Sequence, residues 1–533
     1  MLRLGGRSIG RLAARQRVPR AFSRASSTGA AWHVAIVGSG PAAYYTADQL
    51  LKNDPNVRVD LYERLPVPFG LVRYGVAPDH QTVKNVTERF DQISSDPRCS
   101  LLCNVRIGEG EDPAGHAASL SLQSLREHYN AVVLAYGADT DRTLGIPGED
   151  LHGVHAAREF VEWYNGHPAA AVAQDAMSGD GGGFARLLAS SETAVVVGHG
   201  NVALDCARML CSTADQLVGE TDVAEHAAAA IADSSVRRVV LLGRRGVLHA
   251  AFTIKELREL SRRAGATTHL VAPADAFGEV VMAEAAKERP RKRLIELMQT
   301  LHTPEMDEPG GSGGGAADGL APSGGSRELR VQFQRVPTAF LGDEGGCVRA
   351  VRVACTELIG PPSAQQQASA IEGSEYELSC GLALRAVGYR SSPMLGAPFD
   401  ERRGVIPSRD GGRVVDDDAS GSTGPPGPTT SGLYVTGWLK RGPSGVILTN
   451  VGCANETAAA LLADRQAGEL ACGGGGGDAV RQMLRGSGGG RPVLDYDSWR
   501  RIDALEIERG KQRGKVREKV VSVEEMLEIG AGA

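Results

Sequence analysis

A run of β-branched and apolar residues feeding a G-x-G-x-x-A turn occurs twice in this chain, 160 residues apart. The first copy is HVAIVGSGPAAYYTA, with Gly38, Gly40 and Ala43; the second is TAVVVGHGNVALDCA, with Gly198, Gly200 and Ala203. Such a turn opens a helix, whose first amides lack partners and whose dipole favours negative charge, so a pyrophosphate can approach the backbone. A side chain on either of the first two glycines would block the turn or the approach, whereas Ala in the third place still lets helix pack on strand. One copy fits a glycine turn in any doubly wound domain. Two copies with matching strands imply two dinucleotides in one chain, and therefore electron transfer between them.

The residues beyond each turn distinguish the ligands. The strand VRVDLYE ends in Glu63, and a carboxylate there accepts hydrogen bonds from adenosine ribose hydroxyls, the pattern for FAD or NAD. After the second turn the strand VRRVVLLG runs into Arg244 and Arg245, where NAD would call for an acid. Two guanidiniums suit a 2′-phosphate, so the second site reads as NADPH. The interval from Gly198 to Arg244 is 46 residues against a usual value of about 20, which implies an inserted segment between Ser212 and Ser235.

The chain has 533 residues, enough for two to four domains, and no uncharged apolar run reaches the roughly 18 residues of a membrane span. It reads as soluble, or at most peripheral to a membrane. Residues 1–30 hold seven Arg, four Ser and no acid, the first acid being Asp48. That composition is an organellar transit peptide, mitochondrial by its arginines and amphipathic pattern, with a plain basic tail as the alternative. Net charge is −6, and −13 without those seven Arg, which gives no hint of nucleic-acid binding. Nine Cys occur with no C-x-x-C and no metal or iron–sulfur spacing; the pair Cys206 and Cys211 lies on a helix at an offset that points the thiols apart. All are read as reduced thiols, mostly buried.

The predicted fold is α/β with two Rossmann-like dinucleotide-binding domains, the second inserted into the first. From Trp32 the order is strand, turn, helix, strand. The apolar run 131–138 ends at Gly137, where the chain leaves the first domain, and the run 382–387 with Gly388 marks the return. The expected domains are a 1–30 transit peptide, an FAD domain of 31–137 and 386–533, and an NADP domain of 138–385. Segments 168–192, 304–327, 359–375, 419–431 and the oligoglycine after Cys472 read as surface insertions that hold the glycine surplus, and are expected to be disordered.

The stretches VPFGLVRYGVAPDHQTVKNV, FVEWYNG, LLGRRGVLHAAFTIKELREL, RPRKRLIELM, GWLKRGPSGVI and GKVREKVVSVEEMLEIG, together with both glycine turns, closely resemble the mitochondrial NADPH:adrenodoxin (ferredoxin) oxidoreductase family from residue 32 to about 530. The resemblance implies FAD contacts at Ala42, Glu63, Leu71, Ile107, Trp438, Gly445, Val446 and Ile447. It implies NADPH contacts at Gly200, Asn201, Val202, Arg244, Arg245, Glu256 and Gly445. His80 falls on the family position beside Asp205, near the nicotinamide, where the pair would shuttle a proton or hold the carboxamide. No metal is implied.

By the same resemblance the chain is a ferredoxin–NADP(+) reductase of the mitochondrial matrix that passes electrons from NADPH through FAD to an acidic two-iron two-sulfur ferredoxin, for monooxygenase cytochromes or iron–sulfur cluster assembly. Arg258, Arg289 and Arg293, with Arg291 and Lys292, match the docking surface. A monomer is expected, with peripheral inner-membrane association left open. A disulfide reductase would need a cysteine pair beside the flavin, a glutamate-synthase-like subunit would need iron–sulfur cysteines, and a non-turnover flavin sensor would have no use for a ferredoxin surface.

Overall fold

The computed structural model describes residues 31–108, 117–170, 183–219, 221–263, 265–304, 326–362, 366–416, 429–470, 473–487 and 491–532. The transit-peptide expectation, Cys472 and nearly all of 304–327 lie outside them.

Two seven-stranded sheets organise these residues. In the first, β1 (Trp32–Val37) leads through the glycine turn into α1 (Pro41–Asn53) and on to β2 (Val57–Glu63). β1 lies between β2 and Ala131–Leu134, parallel to both, and Thr429–Val435 returns parallel on the far side of Ala131–Leu134. The strands read as continuous apolar runs because both sheet faces are covered. The turn sits where β1 has neighbours on both sides, at the carboxyl end of the strands, where open α/β sheets bind ligands.

The second sheet repeats the plan. β3 (Thr193–Val197) leads into α2 (Asn201–Leu210) and pairs in parallel with β4 (Arg238–Gly243) on one side and Leu382–Arg385 on the other. The chain crosses between the sheets through a two-stranded antiparallel ribbon of Thr140–Asp141 and Tyr389–Arg390.

Several segments expected to be disordered are ordered, and this corrects that expectation. Phe184–Ser190 is a helix that buries Phe184, Leu187 and Leu188. Gln367–Ala370 pairs with Val348–Ile359 as a strand, and Thr429 begins the strand that returns to the first sheet. The oligoglycine is a packing device: a Cβ on Gly473 would lie 2.7 Å from the His128 carbonyl oxygen, one on Gly476 2.3 Å from His33 Nδ1, and one on Gly477 2.0 Å from Asp60 Oδ2. Only glycine lets this run pass so close to the end of the first sheet.

The segment between Ser212 and Ser235 forms a helix, Glu225–Ala232, with Ala227 and Ile231 buried. The Arg327 guanidinium ties it down through the carbonyls of Leu210, Ser212 and Ile231 at 2.5–3.0 Å. The C-terminal residues then brace the first unit and tie it to the second. Buried Glu506 accepts from Arg73 Nη1 at 2.9 Å, Arg517 Nη1 at 3.0 Å and Val520 N at 2.9 Å. Buried Asp222 holds Lys84 at 2.6 Å and Lys519 at 3.0 Å; burial opposes its charge, but the two ammoniums keep its carboxyl well below the usual range.

Candidate functional site

At the first turn Gly38 has φ +110°, and an added Cβ would lie 2.6 Å from the Ala135 carbonyl oxygen, so glycine is required by the backbone itself. Around Gly40 a Cβ would meet nothing within 4 Å. The space is open, and Gly40 caps α1 without a side-chain hydrogen bond. The first amides of α1 therefore have no side-chain cap and face a cleft walled by Gly38, Gly40, Ala42, Glu63, Leu71 and Ile107. Ala43 is fully buried, a packing position behind that wall.

Glu63 is 8% exposed; its Oε2 accepts from Ser39 Oγ at 2.6 Å and its Oε1 from Leu65 N at 3.0 Å, which fixes the carboxylate at the cleft edge with lone pairs to spare. Trp438 closes the far wall, stacked on Tyr389 with centroids 5.7 Å apart. Its indole Nε1 is buried without a partner, as is Thr436 Oγ1. Such orphaned donors, beside an uncapped helix and an open glycine cradle, are what a large polar and aromatic cofactor would satisfy. Gly445 and Val446 lie instead on an exposed turn outside the cleft wall, and Ile447 packs on the core of the first sheet; from that turn it is Asn450 that reaches the cleft.

The second turn copies the first. Gly198 has φ +137°, with an added Cβ 2.3 Å from the Ala386 carbonyl oxygen, and Gly200 has nothing within 4 Å and caps α2 without a side-chain bond. Ala203 is buried; Val202 and Asn201 are half-buried, with Asn201 Oδ1 unpartnered. Beyond β4, Arg244 and Arg245 are exposed, and among the described residues neither makes an ion pair. Their main chain is anchored: the Arg244 carbonyl accepts from Thr356 Oγ1 at 2.7 Å and that of Arg245 from Gln334 N at 3.3 Å. Burial and the like charge of Arg244 pull the Arg245 guanidinium below its usual value, the situation an incoming dianion would relieve. Glu256 has a local task, closing a capping box with Thr253 at the start of α3 (Ile254–Ser261).

Residues from both units meet around His80. Its Nε2 lies 3.1 Å from Glu259 Oε2 on α3, which is its hydrogen-bond partner. Asp205 accepts from Arg208 Nη2 at 2.7 Å. Burial raises the Asp205 carboxyl, against the pull of Arg208 and His80, which puts His80 within electrostatic reach. Arg289 and Arg293 are exposed on α4 (Arg289–Leu301), which packs against α3 where Arg258 is half-buried. Arg291 is turned inward, donating to the Leu248 carbonyl.

Residues 32–261 match the pyridine nucleotide-disulphide oxidoreductase family model. The chain is 41% identical over 534 residues to the mitochondrial NADPH:adrenodoxin oxidoreductase of Arabidopsis thaliana, covering 98% of this chain and all of that protein. It is also 41% identical over 500 residues to the human mitochondrial NADPH:adrenodoxin oxidoreductase, covering 93% and 91%. The chain belongs to the NADPH:adrenodoxin oxidoreductase family. Among solved structures it is similar to Mycobacterium tuberculosis FprA in complex with NADPH, with a TM-score of 0.77, 35% identity, and 94% of this chain and 100% of that one covered. Although the family model carries the word disulphide, the eight cysteines among the described residues are free, and burial pushes five of those thiols up, Cys211 to about 11 and Cys380 to about 12. Such thiols are poor nucleophiles.

Sequence reasoning passed over Tyr389, Asn450, Arg158, Glu162 and His167, which also line the cleft. Arg158 is held between Asp141 and Glu162 at 2.8 Å. Burial, with Arg64 and Arg158 nearby, pushes His167 down to about 3, so it stays neutral. Only FVEWYNG gave a signal, and only as a family match.

Proposed function

We propose that the chain is a mitochondrial flavoprotein, a ferredoxin–NADP(+) reductase that takes electrons from NADPH and passes them through FAD to an adrenodoxin-like two-iron two-sulfur ferredoxin. The observation that carries this reading is the contrast between two alike uncapped glycine turns, one continued by the enclosed carboxylate of Glu63 and the other by the exposed Arg244 and Arg245, which make no ion pair among the described residues. When bound, the nicotinamide supplies a hydride to the flavin, which releases the electrons singly.

The chain's own residues bind and orient. The α1 amides hold the flavin pyrophosphate and Glu63 the ribose; Leu71, Ile107 and Trp438 exclude water from the ring system. The α2 amides with Asn201 hold the second pyrophosphate, and Arg244 and Arg245 the 2′-phosphate. His80 and Asp205 stand at the nicotinamide. Arg258, Arg289 and Arg293 steer an acidic ferredoxin by charge, in a transient encounter with a monomeric enzyme at most peripherally associated with the inner membrane. No helix among the described residues is long and apolar enough to cross a membrane.

The deciding experiment is cytochrome c reduction by residues 31–533, with NADPH or NADH, with and without a mitochondrial two-iron ferredoxin. Turnover should require both NADPH and ferredoxin. Flavin reduction without ferredoxin-stimulated turnover would point to another acceptor and sink the reading.

A further inference from the structure

A buried charge cluster between the two units, outside the residues assigned to the cofactors, is built on Arg208. It projects from α2 one turn beyond Asp205 and is 2% exposed. Its Nε donates to Asp79 Oδ2 at 2.6 Å and its Nη2 to Asp79 Oδ1 at 2.9 Å, a bidentate pair, while the same Nη2 donates to Asp205 Oδ1 at 2.7 Å. Asp79 belongs to the first unit, in the loop after Leu71–Tyr74, and the next residue is His80. Arg263, just past α3, adds a bond from Nη1 to Asp79 Oδ2 at 3.3 Å, and α3 also carries the Glu259 that holds His80. One guanidinium therefore joins the loop bearing His80 to the helix bearing Asp205, and α3 braces the joint.

We infer that Arg208 is a positioning residue for hydride transfer: by clamping Asp79 and Asp205 together it sets the first unit's His80 loop against α2 and so fixes how the nicotinamide end of the second unit faces the flavin cleft. The inference rests on the functional reading above. Its physical basis is geometric. A planar guanidinium can grip one carboxylate bidentately and reach a second on another element in one fixed geometry, an orientation that the rotatable donors of a lysine do not impose. Reaction between two bound cofactors depends on ångström-level placement. The guanidinium at its centre is buried while its two carboxylates are partly exposed, and the clamp touches neither turn nor 2′-phosphate site, so it bears on alignment and not on affinity.

The test compares wild type, Arg208→Lys, Asp79→Asn and the double variant as FAD-loaded proteins. Anaerobic stopped-flow separates the limiting rate of flavin reduction from NADPH affinity, the long-wavelength charge-transfer absorbance reports stacking of nicotinamide on flavin, and hydrogen exchange reads the amides of residues 77–84. In Arg208→Lys the limiting rate should fall by about tenfold to a hundredfold, with flavin content and NADP+ affinity held within about threefold. The charge-transfer band should weaken and exchange should quicken in 77–84 alone. Asp79, partly exposed, gives a variant that is safer for folding; it should act in the same direction, and the double variant should lose no more than Arg208→Lys. A limiting rate and absorbance band unchanged in both single variants would overturn the inference. So would rate, flavin content and exchange protection all failing in parallel across the second unit, since that marks a merely structural pair. Failure of wild type to reduce its flavin with NADPH would instead remove the functional reading, and is seen before any variant is made.

Discussion

The two glycine turns share the G-x-G-x-x-A pattern and its backbone, yet they sit in unlike surroundings. At each, the first glycine has a φ above +100° and would drive a Cβ into the carbonyl of a neighbouring segment, while the second glycine has open space before an uncapped helix. The first turn lies in a cleft closed by Trp438 and Tyr389 and edged by a carboxylate whose oxygens are already tied to Ser39 and Leu65. The second ends beside two exposed guanidiniums that make no ion pair among the described residues and whose main chain is anchored. The difference teaches that the same turn can be set in an enclosed cleft or beside exposed charge, so that the surroundings and not the turn distinguish the two sites.

The largest expected effects come from replacing the paired glycines. Gly38→Ala should lose its flavin and melt on the order of 10 °C lower, because strain and lost ligand act together, whereas Gly198→Ala should keep its flavin absorbance and fail to be reduced by NADPH. Absorbance spectra and thermal melts check both, and a Gly198→Ala protein free of flavin would break the comparison. Gly40→Ala and Gly200→Ala meet no atoms, so both should fold with melting temperatures within a few degrees of wild type while each weakens only its own dinucleotide, about tenfold or more; titration calorimetry measures this.

Next, Arg244→Ala and Arg245→Ala should each cost about 1.5–3 kcal/mol of NADPH affinity, read from flavin-reduction kinetics, with NADH reduction nearly unchanged. Equal losses for both nucleotides would remove the 2′-phosphate assignment. Arg289→Glu and Arg293→Glu should raise the KM for ferredoxin several-fold, more at low salt, and leave ferricyanide reduction at the wild-type rate.

The smallest effect is a dependence on pH. Two buried imidazoles stay neutral: His167, which lines the first cleft, and His199 inside the second turn, pushed by burial to about 4 and packed on Phe333 with centroids 4.5 Å apart. Folded values below the unfolded value of about 6.5 mean that the unfolded chain binds more protons between the two, so stability is complete above that value and falls as pH drops toward 4. His199→Gln should flatten the slope of unfolding free energy by up to about 1.4 kcal/mol per pH unit in that window, measured by denaturant melts from pH 7 to 4.5; an unchanged slope would show the imidazole already charged.

Much of this was legible in the chain because it is local. The turns, the strands feeding them, Glu63 and the arginine pair each announce themselves within a few residues. The oligoglycine reads as a loose insertion because flexible and closely packed glycines have the same composition, and only the neighbouring Asp60, His33 and His128 tell them apart. Tyr389 and His167 give no signal since neither stands in a pattern; each reaches the cleft by the path of the chain. The bond from His80 to Glu259, 179 residues away, gives no signal in the sequence either.

The sequence alone determined that two dinucleotide folds exist, in what order, and which of them meets a positive pair, because helix starts, apolar runs and end-of-strand charges are properties of short segments. Only the tertiary structure decided that Asp79 and Asp205 share Arg208, that Glu506 gathers Arg73 and Arg517 from 433 and 11 residues away, and that Trp438 closes a cleft begun at Gly38. Those contacts join groups distant in the chain, and burial makes each favourable only when its partner is already in place.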